Sequence, residues 1–255
     1  MKKIFILGLV FGITLNLFAV TISQEQCDAK KDGFIFAGGE CIQYVEVEGD
    51  KKDTINIIVH GTWREGTDTL ARYTPFAETI NMSTDITTIA VALPGYSQSS
   101  TNKLQSLSHD SSKNLATKKA YIEFLSKLVS ALKGKYNAST VNYIGHSAGA
   151  SMGATLTGYS PNLINTISLA GARYKSNKKD SAYISTYLDN LSKNTKYLLI
   201  YGTKDKISKP KATKDFYAVA KKKGLDVKIV EAKDAVHLDL DMTDASVDAI
   251  SEMLE

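Results

Sequence analysis

"YIGHSAGA", residues 143–150, sets Ser147 between Gly145 and Gly149. The serine is either a nucleophile or an accident of composition. A match to Gly-x-Ser-x-Gly arises by chance in roughly one chain in ten of this length, so the motif decides nothing alone. A serine presented on a strained turn between a buried strand and a helix needs small neighbours, because the turn brings backbones close together. The surroundings satisfy that demand. "STVNYIG" (139–145) is rich in β-branched and aromatic residues and reads as a strand. "AGASMGATLTGY" (148–159) begins with small residues and continues as a helix-compatible run, with Ala148, Gly149, Ala150 and Gly153 leaving room.

Outward from this turn the chain alternates. "TINIIVHG" (54–61), "DITTIAVALPG" (85–95), "LINTISLAG" (163–171), "KYLLIYGT" (196–203) and "LDVKIVEA" (225–232) read as strands. Tyr121, Phe124, Leu125, Leu128, Val129 and Leu132 recur at helical spacing, with Gly134 as the expected stop. "SKPKATKDFYAVAKKKG" (208–224) reads as a helix with Ser208 as cap, Pro210 in the first turn and Gly224 as the end. A last helix spans about 243–254. Apolar strands separated by helices predict a mostly parallel, doubly covered sheet.

The chain has 255 residues, 43% hydrophobic and 23% charged, without an internal repeat or a low-complexity linker, so one large α/β domain is expected. The net charge is +4, and the basic residues are scattered rather than gathered into a stripe with a recognition motif. That composition speaks against a nucleic-acid partner. Lys2 and Lys3 precede an almost wholly apolar run, Ile4–Val20, the pattern of a secretory signal. Residues 1–19 are read as the signal, with cleavage between 19 and 23, and 24–255 as the domain. The alternative is an uncleaved membrane anchor. Cleavage after Ala19 removes two lysines and no acid and leaves a charge of +2. A periplasmic or secreted location follows as an expectation. The only cysteines, Cys27 and Cys41, flank a turn-rich segment. In an oxidising compartment a bridge here closes a loop of about 15 residues and stabilises by about 3 kcal/mol. The two Cys and four His show no metal-ligand spacing, and no cofactor is expected.

Taken together, five segments resemble the α/β-hydrolase family, in that family's order, from residue 59 to residue 240. "VHGTW" (59–63) is similar to the His-Gly loop after its third strand. "LPGYSQSS" (93–100) is similar to the loop after its fourth, with Ser97 where glycine is usual. "GHSAG" matches the nucleophile elbow. "YGTKDKI" (201–207) is similar to the acid-bearing segment, and "DAVHLDL" (234–240) to the histidine-bearing one. The resemblance implies an α/β-hydrolase fold with a short cap between its sixth and seventh strands, at about 172–195.

A serine hydroxyl attacks only when a base takes its proton and an anion orients the base. The order Ser…Asp…His of this fold assigns Ser147, Asp205 and His237. His60, before Gly61, is expected to be structural. His146 is expected to pack beside the turn, and His109 to be solvated. Asp234, Asp239 and Asp241 lie too close to His237 to orient its ring and are read as solvated or capping. The oxyanion donors are expected to be the backbone N–H groups of Ala148 and Thr62. Trp63 and Tyr96 are candidates for the pocket wall. These residues predict a serine hydrolase that cleaves small-molecule or lipid carboxylic esters through an acyl-enzyme. A peptidase or thioesterase would use the same triad, and a binding module that has lost catalysis is a further alternative. The segment 172–195, with Arg173, Tyr174, Lys175, Lys178, Lys179, Tyr183 and Tyr187, reads either as a small lid favouring anionic or aromatic esters or as a solvated helix with its loops.

Overall fold

The computed structural model describes residues 22–100, 104–107, 110, 115–176 and 181–255. The proposed signal segment, His109, Lys178 and Lys179 lie outside them. Eight strands form one sheet: β1 (Phe34–Ala37), β2 (Glu40–Val47), β3 (Lys51–Val59), β4 (Ile86–Val91), β5 (Thr140–His146), β6 (Thr166–Ala170), β7 (Lys196–Gly202) and β8 (Asp226–Ala232). Their order is β1-β2-β4-β3-β5-β6-β7-β8. The pairs β1–β2 and β2–β4 are antiparallel, and every other pair is parallel. All the parallel strands therefore end on one edge, where an α/β sheet forms its sites.

The period-two side-chain alternation sorts the core into two layers. Ile55, Ile57 and Val59 of β3, with Val141 and Tyr143 of β5, pack under α3 (Lys119–Lys135), α4 (Ala148–Tyr159) and α5 (Pro210–Lys222). Ile58 and Ile144 face the opposite way, toward α2 (Thr69–Thr84) and α6 (Asp244–Leu254). Fully buried side chains such as Ile57 each stabilise by about 1.5–3 kcal/mol, and the resulting mostly parallel sheet with helices on both faces is the α/β-hydrolase fold.

Several local expectations change. The stretch 34–47, to which the sequence reading assigned no strand, forms the β1–β2 hairpin, and its two strands extend the sheet at the edge. The Cys27–Cys41 disulfide, by contrast, is present as expected and ties α1 (Gln24–Asp28) to β2. Helix α2 is absent from the sequence reading because Pro75 lies inside it, where its ring removes one backbone bond. Tertiary burial of Leu70, Tyr73, Phe76 and Ile80 outweighs that loss. Gly134 does not stop α3, which continues to Lys135 before Asn137 takes a left-handed φ of 47°. Ser208 does not cap α5. Lys209 holds that position without a side-chain bond, because the Ser208 backbone is engaged by Asp205. Segment 172–195 forms no α-helix among its described residues. It carries two 3₁₀ turns, at 184–186 and 188–190, and Tyr174 and Tyr183 are buried rather than solvated.

Candidate active site

Ser147 joins β5 to α4 with φ 53° and ψ −110°, a region that a non-glycine residue enters only under constraint. The constraint is visible. Its N–H donates to the Ala170 carbonyl at 2.8 Å, and its carbonyl accepts from Ser151 N–H and Oγ, each at 2.9 Å. The neighbour must be glycine: a Cβ on Gly149 would lie 2.2 Å from the Val59 carbonyl oxygen. The turn is thus wedged between β3 and β6 and lifts Oγ above the sheet edge.

Asp205 follows β7 and is buried. Its Oδ1 accepts the backbone N–H groups of Ile207 and Ser208, both at 2.8 Å, which fixes the carboxylate before it meets a partner. Its Oδ2 lies 2.7 Å from His237 Nδ1, and His237 Nε2 lies 2.7 Å from Ser147 Oγ. The one tautomer that satisfies both bonds has Nδ1–H donating to Asp205 and Nε2 accepting the serine proton. Gly171, with φ 64°, ends β6 beneath the ring. A Cβ there would crowd His237 Nδ1 at 3.2 Å.

Ser147 opens into a cavity of about 160 Å3 lined in part by Thr62, Thr117, Ala148, Ser151 and Tyr183. Among the described residues the backbone N–H groups of Thr62 and Ala148 donate to no acceptor. Ala148 is the first residue of α4, where an N–H has no partner within the helix and the dipole favours negative charge. Trp63 and Tyr96 do not line this cavity. The Tyr96 hydroxyl clamps the Trp63 backbone, accepting from its N–H at 3.3 Å and donating to its carbonyl at 3.0 Å. The Trp63 ring instead faces Arg72, whose guanidinium carbon stands 5.0 Å from the ring centroid.

The other described histidines are scaffold. His60 is buried, donates from Nδ1 to the Gly61 carbonyl at 2.6 Å and accepts the Leu93 N–H on Nε2 at 3.0 Å. Burial lowers its pKa from 6.5 to about 4, so it stays neutral under the loop. His146 donates from Nε2 to the His237 carbonyl at 2.7 Å, which holds the backbone of the loop that carries His237. Its Nδ1 faces the Tyr73 hydroxyl at 3.4 Å and Asp241 Oδ1 at 4.0 Å. Asp241 is therefore neither solvated nor capping. It is buried, and burial pushes its carboxyl above the usual range. Asp239 pairs with Arg72 and Asp234 with Lys204, both at the surface. Ser97 resolves the departure from the family's pattern by adopting the glycine-like φ of 48° itself, with its hydroxyl on Asp68 at 2.8 Å.

The sequence profile of the serine hydrolase family FSH1 matches residues 62–234, more than half of the chain. The chain belongs to this family. The match contains Ser147 and Asp205 and ends three residues before His237. No curated protein matches the chain. Among solved structures it is similar to an esterase of Pyrococcus furiosus, at 15% identity over 87% of this chain and 88% of that one, with a TM-score of 0.67. It is also similar to the enol-lactonase of Burkholderia xenovorans, at 15% identity over 87% and 99%, with a TM-score of 0.64. A third is Est1E of Butyrivibrio proteoclasticus, solved with ferulic acid, at 13% identity over 87% and 95%, with a TM-score of 0.59. At such identities these likenesses speak for the fold of this FSH1 serine hydrolase.

Proposed function

We propose that this serine hydrolase cleaves carboxylic esters outside the cytoplasm, with Ser147 as nucleophile, His237 as base and Asp205 as the orienting acid. The observation that carries the reading is the pair of 2.7 Å bonds that link Asp205, His237 and Ser147 into one chain. Ser147 Oγ bonds to the ester carbonyl carbon while its proton passes to His237 Nε2. The carbonyl electron pair moves to oxygen, which sits on the N–H groups of Ala148 and Thr62. Each such donor is worth about 3 kcal/mol where it has been removed in other enzymes. Collapse expels the alcohol, which takes the proton from His237. Water then attacks the acyl-serine, gives its proton to Nε2, and the acid leaves as Ser147 recovers its hydrogen. The Asp205 charge stabilises the imidazolium at each stage.

Export is supported by the apolar run behind Lys2 and Lys3 and by the Cys27–Cys41 bridge, a bond that persists in oxidising compartments. The small cavity at Ser147 suits a low-molecular-weight ester. A fluorophosphonate probe should label the protein at Ser147 alone, as read by mass spectrometry of the tryptic peptides. Labelling that persists in Ser147→Ala would overturn the assignment.

A further inference from the structure

Among the described residues the Ser147 cavity has one charged lining residue, Arg173, in the segment after β6. Its position is tied to the nucleophile. The Arg173 N–H donates to Ser151 Oγ at 2.8 Å, and the same hydroxyl donates to the Ser147 carbonyl at 2.9 Å. Among the described residues its guanidinium makes one hydrogen bond, from Nη2 to the Ile207 carbonyl at 3.2 Å. Among the described residues no carboxylate lies within ion-pair distance of it. Among the described residues, four of its five N–H donors meet no acceptor. Arg173 is exposed and lines the cavity together with Tyr183.

A second cavity, of about 380 Å3, continues past Arg173 and shares Ile207 and Ser208 with the first. Its floor is apolar, with Tyr174 stacked on Phe216 at 4.3 Å between ring centroids. Lys175 and Lys209 add positive charge, while the Asp215 carboxylate on the same rim is neutralised by Lys211. Both cavities thus meet at Arg173, which has no ion-pair partner among the described residues. The first holds about six non-hydrogen atoms, since a cavity of comparable size in another protein admits benzene. An anion bound to Arg173 is then only a few bonds from the carbonyl that Ser147 attacks.

We propose that Arg173 recognises a carboxylate and that the preferred substrates are esters carrying a free carboxylate close to the scissile bond. The inference rests on the ester reading above and adds the substrate class. A guanidinium fork pairs with a carboxylate through two parallel bonds. Charge-assisted bonds of this kind favour the anionic ester by roughly ten- to a hundred-fold over a neutral one of the same size. The carboxylate could belong to the acyl part or to the alcohol part, and the substrates of the test separate the two.

The experiment compares kcat/KM at low salt for methyl hydrogen succinate against methyl pentanoate, and for acetoxyacetate against ethyl acetate. The first pair places the charge on the acyl side and the second on the alcohol side. Wild type should favour the anion by about tenfold or more in one pair. The ratio should fall toward unity in Arg173→Ala and be intermediate in Arg173→Lys, which keeps the charge but not the fork. A ratio near unity in both pairs for wild type, or one retained in Arg173→Ala, overturns the proposal and leaves the ester reading standing. A second measurement needs neither a variant nor turnover. Glutarate should slow fluorophosphonate labelling of wild-type Ser147 more than glutaramide does. Equal effects overturn the role of Arg173 even if none of the four esters is cleaved, a result that would itself count against the ester reading.

Discussion

Two histidine–aspartate pairs lie side by side at the carboxyl edge of the sheet, with the His237 and His146 rings 5.1 Å apart. Both carboxyl groups are buried, Asp205 at 3% exposure and Asp241 at 1%. They differ in what surrounds the carboxyl. Asp205 receives two backbone N–H groups on one oxygen and His237 on the other. Asp241 Oδ1 has no hydrogen-bond partner and stands 4.0 Å from His146 Nδ1. Burial alone penalises a carboxylate, and what makes an anion available to orient an imidazole is a turn that aims donors at it. The pair at His237 fits the proton-transfer unit, and the pair at His146 fits the support of its backbone.

The comparison breaks most easily at the nucleophile. Ser147→Ala, His237→Ala and the double mutant should share nearly the same residual kcat, each lower by about 10⁶-fold, because groups that act as a unit are not additive. Losses that multiply in the double mutant would place the base elsewhere.

Next in size is the contrast between the two acids. Asp205→Asn removes the anion and permits the wrong imidazole tautomer, a change that costs about 10⁴-fold in kcat in a related triad. Asp241→Asn should cost less than about tenfold, since it acts only through the His146 bond to the His237 carbonyl. Asp234→Asn and Asp239→Asn should cost less again. Steady-state kinetics of the four variants read the order directly, and a loss in Asp241→Asn equal to that in Asp205→Asn would erase the distinction.

The smallest effect concerns stability and pH. The Asp241 carboxyl is raised in the folded protein, chiefly by burial, above its ordinary value of 3.8. Below that value both folded and unfolded forms are protonated and the residue costs nothing. As pH rises through the folded pKa, the folded protein alone bears the cost of a buried charge, and that contribution to stability is lost. Asp241→Asn avoids the cost. Its melting temperature relative to wild type should therefore rise by a few degrees between pH 3 and pH 7. A relative fall over the same range would mean that His146 stabilises the charge and that the two pairs are alike.

Much of this site was legible because its requirements are local. Small residues around Ser147, a strand before it and a helix after it reflect the tight approach of Gly149 to Val59. The missed elements have physical reasons. Pro75 hides α2 from a reading by propensity, although Leu70, Tyr73, Phe76 and Ile80 keep helical spacing. The β1–β2 hairpin begins in a turn-rich segment, and pairing with β4 gives its strands a sheet to join. Asp241 looked like a solvated residue in a polar stretch, and no local signal reveals that Tyr73 and His146 enclose it. Trp63 was a candidate for the pocket wall, but its backbone is held by Tyr96, 33 residues away, and its ring lies against Arg72.

From the sequence alone followed the alternating strands, the turn at Ser147 and the order of the loops that carry Ser147, Asp205 and His237. These depend on period-two apolarity and on the space a backbone turn allows, which are properties of a few neighbouring residues. Only the tertiary structure decided that Asp241 is buried beside His146, that His146 holds the His237 carbonyl and that Arg173 lines the cavity at Ser147. Those contacts join residues far apart in the chain. They exist because the order β5-β6-β7-β8 sets the ends of four parallel strands side by side, so that loops distant in sequence share one rim.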